Sequence, residues 1–325
     1  MDSATAGRAG FALALLSAAT FGTSGSFAAS LIDAGWTPGS AVTARVLTAA
    51  LLLTVPALVQ LRGATSLLRR RARSLVTYGV LGVAGAQLCF FMAIEHLSVG
   101  VALLLEYSGA LLVVLYLWLF RGQRPSRLTV AGAVAAVLGL GLVLELVGRA
   151  EVDAVGVLWG LGAAVGLATY FLLSAETEDA LPPLVVAWGG LVVGGTVLVV
   201  AGATGILALA APRTEVTLID QEVSWVVPVL GLAVVAAAIA YVVGIVGARL
   251  LGAQLASFVG LTEVLFAVVF AWVLLGQALG PQQLAGAVLV LAGITLVRVD
   301  DLRTATPQPV LAPHERVVTA DAPVP

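Results

Sequence analysis

The sequence contains ten apolar stretches between Gly10 and Arg298, each long enough to cross a lipid bilayer. A crossing helix needs about 20 predominantly apolar residues. Lipid admits only α-helices and closed β-barrels, and these stretches are too long and too uniformly apolar for barrel strands. We therefore predict an all-α integral membrane protein with ten transmembrane helices. The predicted spans are Gly10–Leu31, Gly39–Leu61, Leu75–Glu95, Ser98–Phe120, Leu128–Val147, Ala154–Ser174, Pro183–Leu207, Trp225–Gly247, Leu255–Gly276 and Gln282–Val297.

The basic residues, all of them arginines, are unequally distributed between the predicted loops. If the N-terminus is cytoplasmic, Arg149 and Arg213 fall in external segments, Arg45 lies inside the second span, and all the others face the cytoplasm. An excess of arginine in short loops marks the cytoplasmic side of a membrane protein. We therefore predict a multi-pass protein of the cell membrane with both termini cytoplasmic. The cytoplasmic arginines are Arg8, Arg62, Arg69, Arg70, Arg71, Arg73, Arg121, Arg124, Arg127, Arg249, Arg298, Arg303 and Arg316.

The second five stretches look like a copy of the first five. A shift of 154 residues places Gly132 on Gly286 and Gly139 on Gly293. The loop 121–127 carries three arginines, whereas its equivalent, 276–282, carries none, as two copies of opposite orientation require. Since five helices reverse the direction of the chain, we predict two inverted five-helix repeats, a scaffold typical of alternating-access transporters.

This reading divides the chain into four parts. Residues 1–9 form a cytoplasmic N-terminal tail, 10–147 the first repeat, 154–298 the second repeat, and 299–325 a disordered cytoplasmic tail. With 60% hydrophobic and 10% charged residues, the chain has no polar segment long enough for a separate soluble domain, which would carry roughly 25% charged residues.

Several short motifs occur in the order and spacing of a known family. They are Leu274-Leu-Gly-Gln277, Gly286-Ala-Val-Leu-Val-Leu-Ala-Gly293, Leu261-Thr-Glu-Val-Leu-Phe-Ala267, Arg45-Val-Leu-Thr-Ala-Ala50 and Val99-Gly-Val-Ala-Leu-Leu-Leu-Glu-Tyr-Ser-Gly109. At these residues the chain resembles the EamA family of the drug/metabolite transporter superfamily, most closely its threonine/homoserine exporter branch. The resemblance covers nearly the whole chain. It implies a ten-helix carrier that exports a small metabolite.

The chain departs from the family pattern at two kinds of position. Gln123 and Gln277 stand in the turns where the family usually has Glu, which weakens an argument for proton coupling through those turns. Ala110 and Val264 stand where the family has proline. Because proline is missing there, a kink in the fourth and ninth spans is a weaker expectation.

Two carboxylates and one guanidinium lie deep inside predicted spans. Glu106 and Glu263 each lie about nine residues into a span, where a charge costs at least about 2.5–3.5 kcal/mol to insert. Such a residue normally faces the interior, where it could bind a substrate amine or carry a proton, or accept structural hydrogen bonds. Arg45 could bind a substrate carboxylate through paired hydrogen bonds, or extend outward to the headgroups.

Polar and aromatic residues in other spans complete the predicted substrate site. Thr23 and Ser24 lie on the polar side of span one, where hydroxyls either line a cavity or bond to a neighbouring helix. Tyr107 adjoins Glu106, and Trp159 could instead be an interfacial anchor. The predicted substrate-binding residues are Glu106, Tyr107, Thr23, Ser24, Arg45, Gln87, Trp159, Tyr170, Tyr241 and Glu263.

The sequence argues against several other functions. It has no His-Glu-x-x-His pair, Cys-x-x-Cys pair, phosphate-binding loop or Gly-x-Ser-x-Gly elbow, so we predict neither an enzyme nor a cofactor, metal or nucleic-acid site. The prediction is a secondary carrier of a small metabolite such as an amino acid, embedded in the bilayer, with proton coupling left open. The alternative is a channel or a non-transporting membrane scaffold. Substrate identity, direction and oligomeric state stay open.

Overall fold

The computed structural model describes residues 3–62, 65–97, 99–143, 153–178, 180–218, 221–275 and 280–304. These residues are almost entirely helical. The helices are α1 (Ser3–Gly22), α2 (Ser24–Asp33), α3 (Pro38–Leu61), α4 (Thr65–Thr77), α5 (Ala86–Ile94), α6 (Val99–Tyr107), α7 (Gly109–Arg121), α8 (Arg127–Val143), α9 (Ala154–Ser174), α10 (Pro183–Ala203), α11 (Val226–Ala233), α12 (Ala240–Leu251), α13 (Ala253–Gly260), α14 (Thr262–Leu275) and α15 (Pro281–Thr304).

Two π-helical segments and two strands complete the described part of the chain. Tyr78–Gly85 and Val234–Ile239 are π-helical segments that continue α4 into α5 and α11 into α12. Strands β1 (Glu215–Leu218) and β2 (Gln221–Ser224) form an antiparallel hairpin in which Val216 pairs with Val223.

The helices confirm the predicted all-α membrane architecture. Within the described residues, nine helical runs are long and apolar enough to span a bilayer, and the shorter apolar helix α8 corresponds to the fifth predicted span. Five of these runs join two helices: α1 with α2, α4 with α5, α6 with α7, α11 with α12, and α13 with α14. The predicted span ends at Ser98, Val147 and Gly276 lie outside the described residues, as does Gln277.

Three spans are interrupted near their middle, at Thr23, Ser108 and Leu261. Spans four and nine are therefore both interrupted, although they lack the family's proline, whose absence made a kink there a weaker expectation. At the fourth span, Ser108 Oγ donates to the Leu105 carbonyl at 2.6 Å; at the ninth, Thr262 Oγ1 donates to Val259 at 2.6 Å. Such bonds divert a carbonyl from the helical ladder and bend helices.

The fifth and tenth spans display the inverted repeat directly. A Cβ added to Gly132 would lie 2.7 Å from the Gly293 carbonyl oxygen, and one added to Gly139 would lie 2.7 Å from that of Gly286. The contact therefore runs antiparallel, and the 154-residue shift exchanges its two halves. Gly132 meets Gly293, and their equivalents in the other repeat, Gly286 and Gly139, meet each other. A two-fold symmetric interface has this pattern of contacts.

The loops sort into two ends of the bundle. At the end that we call the arginine end, Arg71 contacts Glu176 at 3.5 Å, and Arg249 Nη2 donates to the Leu181 carbonyl at 2.7 Å. Thr129 Oγ1 donates to Asp300 at 2.6 Å and so ties α8 to α15 there. The arginine-rich segments around α4 and between α7 and α8 share this end.

The opposite end, which we call the hairpin end, carries β1 and β2. Trp36 Nε1 donates to the Pro212 carbonyl at 2.8 Å, which holds the segment before the hairpin against the start of α3. Nearby, Asp153 begins α9 by accepting a hydrogen bond from the Val155 backbone N–H. This bond and the neighbouring His96 ring, 3.3 Å away, lower the pKa of Asp153.

The last helix is longer than the sequence predicted. Helix α15 continues to Thr304, past the predicted start of the C-terminal tail at residue 299. Asp300 is 8% exposed and bonded to the 1% exposed Thr129, so this turn is packed against α8. The remainder of the predicted tail, from residue 305, lies outside the described residues.

Candidate functional site: an intramembrane charge cluster

Arg45 of α3 is the central cation of the candidate site. Its side chain is only 4% exposed, and its Nη1 donates to Ser24 Oγ at 2.8 Å. Its Nε and Nη2 are buried and have no hydrogen-bond partner among the described residues. A buried donor left unsatisfied costs about 1–3 kcal/mol, more when it is charged. The site therefore presents two donor nitrogens, Nε and Nη2, that no described residue of the protein satisfies.

The two intramembrane carboxylates lie within electrostatic range of this arginine. Glu106 and Glu263 interact electrostatically with each other and with Arg45. Glu106 is the second-last residue of α6, two residues before the break at Ser108. Glu263 lies in the first turn of α14, just after the break at Leu261. A helix N-terminus favours negative charge, so α14 itself stabilises an ionised Glu263.

Tyrosines join the charges to a buried aromatic cluster. Tyr107 is 8% exposed and lies beside the Glu263 carboxylate, while Tyr241 is 3% exposed and within electrostatic range of Arg45 and both glutamates. Tyr241 packs edge to face on Tyr170, with ring centroids 5.6 Å apart. These contacts make one continuous polar and aromatic surface through the middle of the bundle.

Two aromatic members of this cluster, Phe21 and Tyr78, were not predicted from the sequence. Phe21 packs on Tyr241 at 5.1 Å, and Tyr78 packs on Tyr170 at 5.8 Å, between ring centroids. The chain has only five tyrosines, and four of them belong to this cluster or lie beside the charges. The scarcity of tyrosine could have indicated Tyr78 as a candidate. Its position, however, near the predicted start of its span, did not suggest that it is buried.

The remaining predicted residues have different surroundings. Thr23 Oγ1 donates to the Thr20 carbonyl at 2.7 Å, so its hydroxyl is engaged at the break in span one. Gln87 is partly buried on α5, next to Ala86, which packs directly on Gly166. Trp159 is 36% exposed and lies three turns, roughly 16 Å along the axis, from Tyr170. Its placement matches the interfacial-anchor alternative.

Helices α7, α9 and α13 pack against one another as one layer, and α14 packs on α1 and α2. A cavity of about 700 Å³ opens at the arginine end, and its lining includes Leu117, Thr169, Leu255, Arg121, Arg124 and Asp300. Arg45, Glu106 and Glu263 are not among the described residues that line it.

Comparison with known proteins identifies the family. The model of the EamA-like transporter family matches residues 8–145 and again residues 154–299. The chain belongs to the EamA-like transporter family. This confirms the predicted resemblance and the duplication, and it places the chain in a family of membrane transporters.

Similar members of this family have been named. The Threonine/homoserine exporter RhtA of Salmonella typhimurium (strain LT2) is 34% identical over 119 residues, which cover 36% of this chain and 38% of the exporter. RhtA of Escherichia coli (strain K12) is 34% identical over 120 residues, with the same coverage. The match thus spans under two-fifths of the exporters' length. A crystal structure with 20% sequence identity superposes with a TM-score of 0.72, covering 93% of this chain and 99% of the other, and shows the fold alone.

Proposed function

We propose that this EamA-family member is a secondary transporter that exports a small zwitterionic metabolite, such as an amino acid or a close derivative, by alternating access. The observation that carries the proposal is the buried Arg45 guanidinium, whose Nε and Nη2 have no partner among the described residues, within electrostatic range of Glu106 and Glu263. A guanidinium matches a carboxylate through paired hydrogen bonds. The glutamates provide the opposite charge for an ammonium group, so the site suits a molecule that carries both.

The relatives favour the same substrate class. The exporters from Salmonella and Escherichia are named for threonine and homoserine, which are hydroxylated amino acids. In the present chain the Ser24 hydroxyl adjoins Arg45, and Tyr107 and Tyr241 surround the carboxylates. A polar side chain on the substrate would therefore find hydroxyl partners. Thr23, Gln87 and Tyr170 complete the proposed lining.

Proton coupling follows from the charge balance of the cluster. Two carboxylates and one guanidinium leave one negative charge without a countercharge when both carboxylates are ionised. An ammonium group and a proton would compete for that charge, so outward movement of substrate would be exchanged for inward movement of a proton. This exchange uses Glu106 and Glu263 and does not need the turn residues in which the chain has glutamine.

Alternating access would operate across the layer of α7, α9 and α13. We place the arginine end in the cytoplasm, because arginine-rich short loops mark that side, and both termini with it. The cavity at the arginine end is then the cytoplasmic approach, and opening of the layer would join it to Arg45. Closure of the layer with the hairpin end open would release the substrate outside. A channel would instead need a path open at both ends at once.

The decisive experiment is counterflow into proteoliposomes. Liposomes loaded with unlabelled threonine should accumulate labelled threonine transiently, which a channel does not allow. Threonine amide, which lacks the carboxylate, should compete at least roughly tenfold less well, because it loses a charge-assisted bond worth about 1.5–3 kcal/mol. Arg45→Gln should remove that discrimination. Arg73→Gln, at an exposed arginine of α4, is the matched control and should retain it.

A second measurement keeps binding separate from turnover. Cys89 is the single cysteine of the chain and interacts electrostatically with Glu106. Substrate bound at the cluster should slow alkylation of Cys89 by a small maleimide, and it should fail to do so in Arg45→Gln. Equal protection in both proteins, together with retained discrimination against the amide, would contradict the assignment of Arg45.

Orientation can be tested in intact cells on a Cys89→Ser background. Gln123→Cys lies at the arginine end and Gln221→Cys in the hairpin, and both positions are exposed. A membrane-impermeant thiol reagent should label Gln221→Cys from outside and spare Gln123→Cys until the cells are opened. Labelling of both, or of Gln123→Cys alone, would overturn the proposed topology.

A further inference from the structure

Helix α4 carries four arginines within five residues, and they have two kinds of surroundings. Arg71 is partly buried and pairs with Glu176 at 3.5 Å. Arg69, Arg70 and Arg73, which we call the arginine face, are exposed, and none of them forms a hydrogen bond or an ion pair with a described residue. Three positive charges thus lack a countercharge in the described part of the chain.

The other side of α4 is packed against the bundle. Leu67 and Leu75 pack on a buried apolar cluster that includes Val185 of α10. At about 100° per residue, Arg69 and Arg73 fall on the opposite side of the helix from these leucines. Helix α4 is therefore amphipathic, and its arginine face is directed away from the bundle.

The acidic residues of the connection between α9 and α10 meet α4 on its packed side. Glu176 accepts hydrogen bonds from Arg71 and from Ser74, the latter at 3.4 Å. The Glu178 carbonyl also accepts from Arg71. These contacts use the inner arginine of the helix and leave the charges of the arginine face unbalanced.

The arginine face continues into the lipid-facing side of the third span. Val76 lies three residues after Arg73 and seven after Arg69, so the three residues share one side of the helix. The Val76 side chain is 49% exposed, as an aliphatic residue in contact with acyl chains should be. Arg69 and Arg73 are not among the described residues that line the wide cavity at the arginine end. The arginine face therefore lies over the surrounding bilayer and not over the opening of the bundle.

The length of the third span sets the depth of these arginines. Its helical run, Thr65–Ile94, has 30 residues. Such a run is roughly 45 Å long, against about 30 Å of hydrocarbon. The apolar part begins at Leu75, so Arg73 and Arg69 lie about 3 and 9 Å before it along the axis. The headgroup layer is about 5–8 Å thick on each side, so these guanidinium groups lie at the depth of the lipid phosphates.

From these observations we propose that Arg69, Arg70 and Arg73 form a binding surface for the phosphate groups of anionic phospholipids in the leaflet at the arginine end. A guanidinium binds a phosphate through two parallel hydrogen bonds. Bound lipid holds α4 from the membrane side, while Arg71 ties the same helix to Glu176 on the inner side. The surface is separate from the charge cluster, so it does not depend on the identity of the transport substrate.

The test is thermal unfolding of the purified full-length protein in a neutral detergent, titrated with phosphatidylglycerol or with phosphatidylcholine. Phosphatidylglycerol should raise Tm saturably, and phosphatidylcholine should not. Inorganic phosphate, which offers the same group without acyl chains, should have no effect at a matched concentration. The effect of phosphatidylglycerol should weaken in about 1 M salt, where the Debye length falls to about 3 Å.

The deciding variant combines Arg69→Gln with Arg73→Gln, two exposed positions at which glutamine should not disturb folding. Each arginine near an anionic membrane surface strengthens binding roughly fivefold, so the pair should raise the half-saturating concentration of phosphatidylglycerol at least about tenfold. The matched control combines Arg121→Gln with Arg124→Gln. It removes the same two charges from exposed positions that line the wide cavity, and it should leave the half-saturating concentration nearly unchanged.

Three outcomes would overturn the proposal. Equal stabilisation by the two lipids would mean that the charge of the headgroup is not recognised. Equal stabilisation by inorganic phosphate would mean a site for soluble anions and not for lipid. Equal losses in the two double variants would mean that the net charge of the protein, and not the arginine face, attracts the lipid. If the deciding variant fails to fold, Arg73→Gln alone decides the question, with an expected shift of roughly fivefold.

Discussion

The breaks in the fourth and ninth spans have the same backbone geometry but different chemistry. Ser108 bonds back to Leu105, and Thr262 bonds back to Val259, so the two bonds are related by the same 154-residue shift as the glycines of α8 and α15. The π-helical segments of the third and eighth spans overlap under this shift. In these spans the duplication has preserved the interruptions to within two residues, whereas the break at Thr23 has no counterpart in the continuous helix α9.

The charges do not follow the symmetry. Glu106 precedes its break, and the equivalent position in the second repeat is Gly260; Glu263 follows its break, and its equivalent is Gly109. When the initial prolines of α3 and α10 are aligned, Arg45 falls on Gly190, which makes room for Tyr78. A symmetric scaffold can exchange its two halves to alternate access, whereas a single substrate needs one asymmetric set of partners. We therefore assign the conformational change to the bends and glycines that both repeats share, and substrate recognition to the charged residues that have no equivalent in the other repeat.

The largest effect should come from removing the charges that break the symmetry. We expect Glu106→Gln to lower counterflow roughly 10- to 100-fold, because a charge-assisted bond to the substrate ammonium is worth about 1.5–3 kcal/mol. Glu263→Gln should cost less, since Glu263 also faces Tyr107 and the positive end of α14. Glu106→Gln should also remove the dependence of transport on an imposed pH gradient.

The control for both is Glu95→Gln, which replaces an exposed carboxylate at the hairpin end. Rates are to be normalised to folded protein in the liposomes. Wild-type rates and an unchanged pH dependence in Glu106→Gln would exclude it as substrate ligand or proton carrier. A greater loss of counterflow in Glu263→Gln than in Glu106→Gln would identify Glu263, in the second repeat, as the more important carboxylate for transport.

A smaller effect, equal in the two copies, is expected where the repeats match. Gly139→Leu and Gly293→Leu each insert a side chain into the α8–α15 contact, where a Cβ would lie 2.6 Å from backbone atoms of the other helix. Overpacking of this kind costs about 1–3 kcal/mol or more, so both variants should lower Tm by similar amounts. Gly141→Leu, which meets open space, should leave Tm nearly unchanged. A clearly unequal fall in Tm between Gly139→Leu and Gly293→Leu would show that equivalent positions in the two repeats do not contribute equally to stability.

How far the sequence could predict the site depends on the kind of residue. Glu106, Glu263 and Arg45 were identifiable because an unsatisfied charge within lipid is so costly that it must face the interior. Their convergence was not predictable, since it depends on how each helix is rotated about its axis, and packing with neighbouring helices sets that rotation. Trp159 illustrates the same limit, because the sequence left open whether it lines the cavity or is an interfacial anchor, and only the packing of α9 decides between them.

The breaks were hard to predict for a different reason. Proline is the familiar cause of a bend, so Ala110 and Val264 made a bend a weaker expectation. The hydroxyl groups at Thr23, Ser108 and Thr262 carry out the same function by taking a carbonyl from the ladder. Because threonine and serine also occur in straight helices, their presence alone could not distinguish a bend from an ordinary turn.

The smallest effect should come from removing these hydroxyls, and it would separate bending from recognition. Ser108→Ala and Thr262→Val each delete one side-chain bond to the backbone, at a net cost of about 1 kcal/mol. Thr262 is 4% exposed and Ser108 is partly exposed, so Thr262→Val should lower Tm more.

If the breaks serve the conformational change, both variants should slow counterflow severalfold. The substrate concentration that half-protects Cys89 should stay unchanged. Thr196→Val is the matched control, because Thr196 Oγ1 makes a similar bond to the Val192 carbonyl, at 2.8 Å, within the continuous helix α10. If Thr196→Val slows transport as much as the two break variants, the hydroxyl bonds have no special role at the bends. If the break variants lose the protection of Cys89 by substrate, the hydroxyl bonds act on substrate recognition instead.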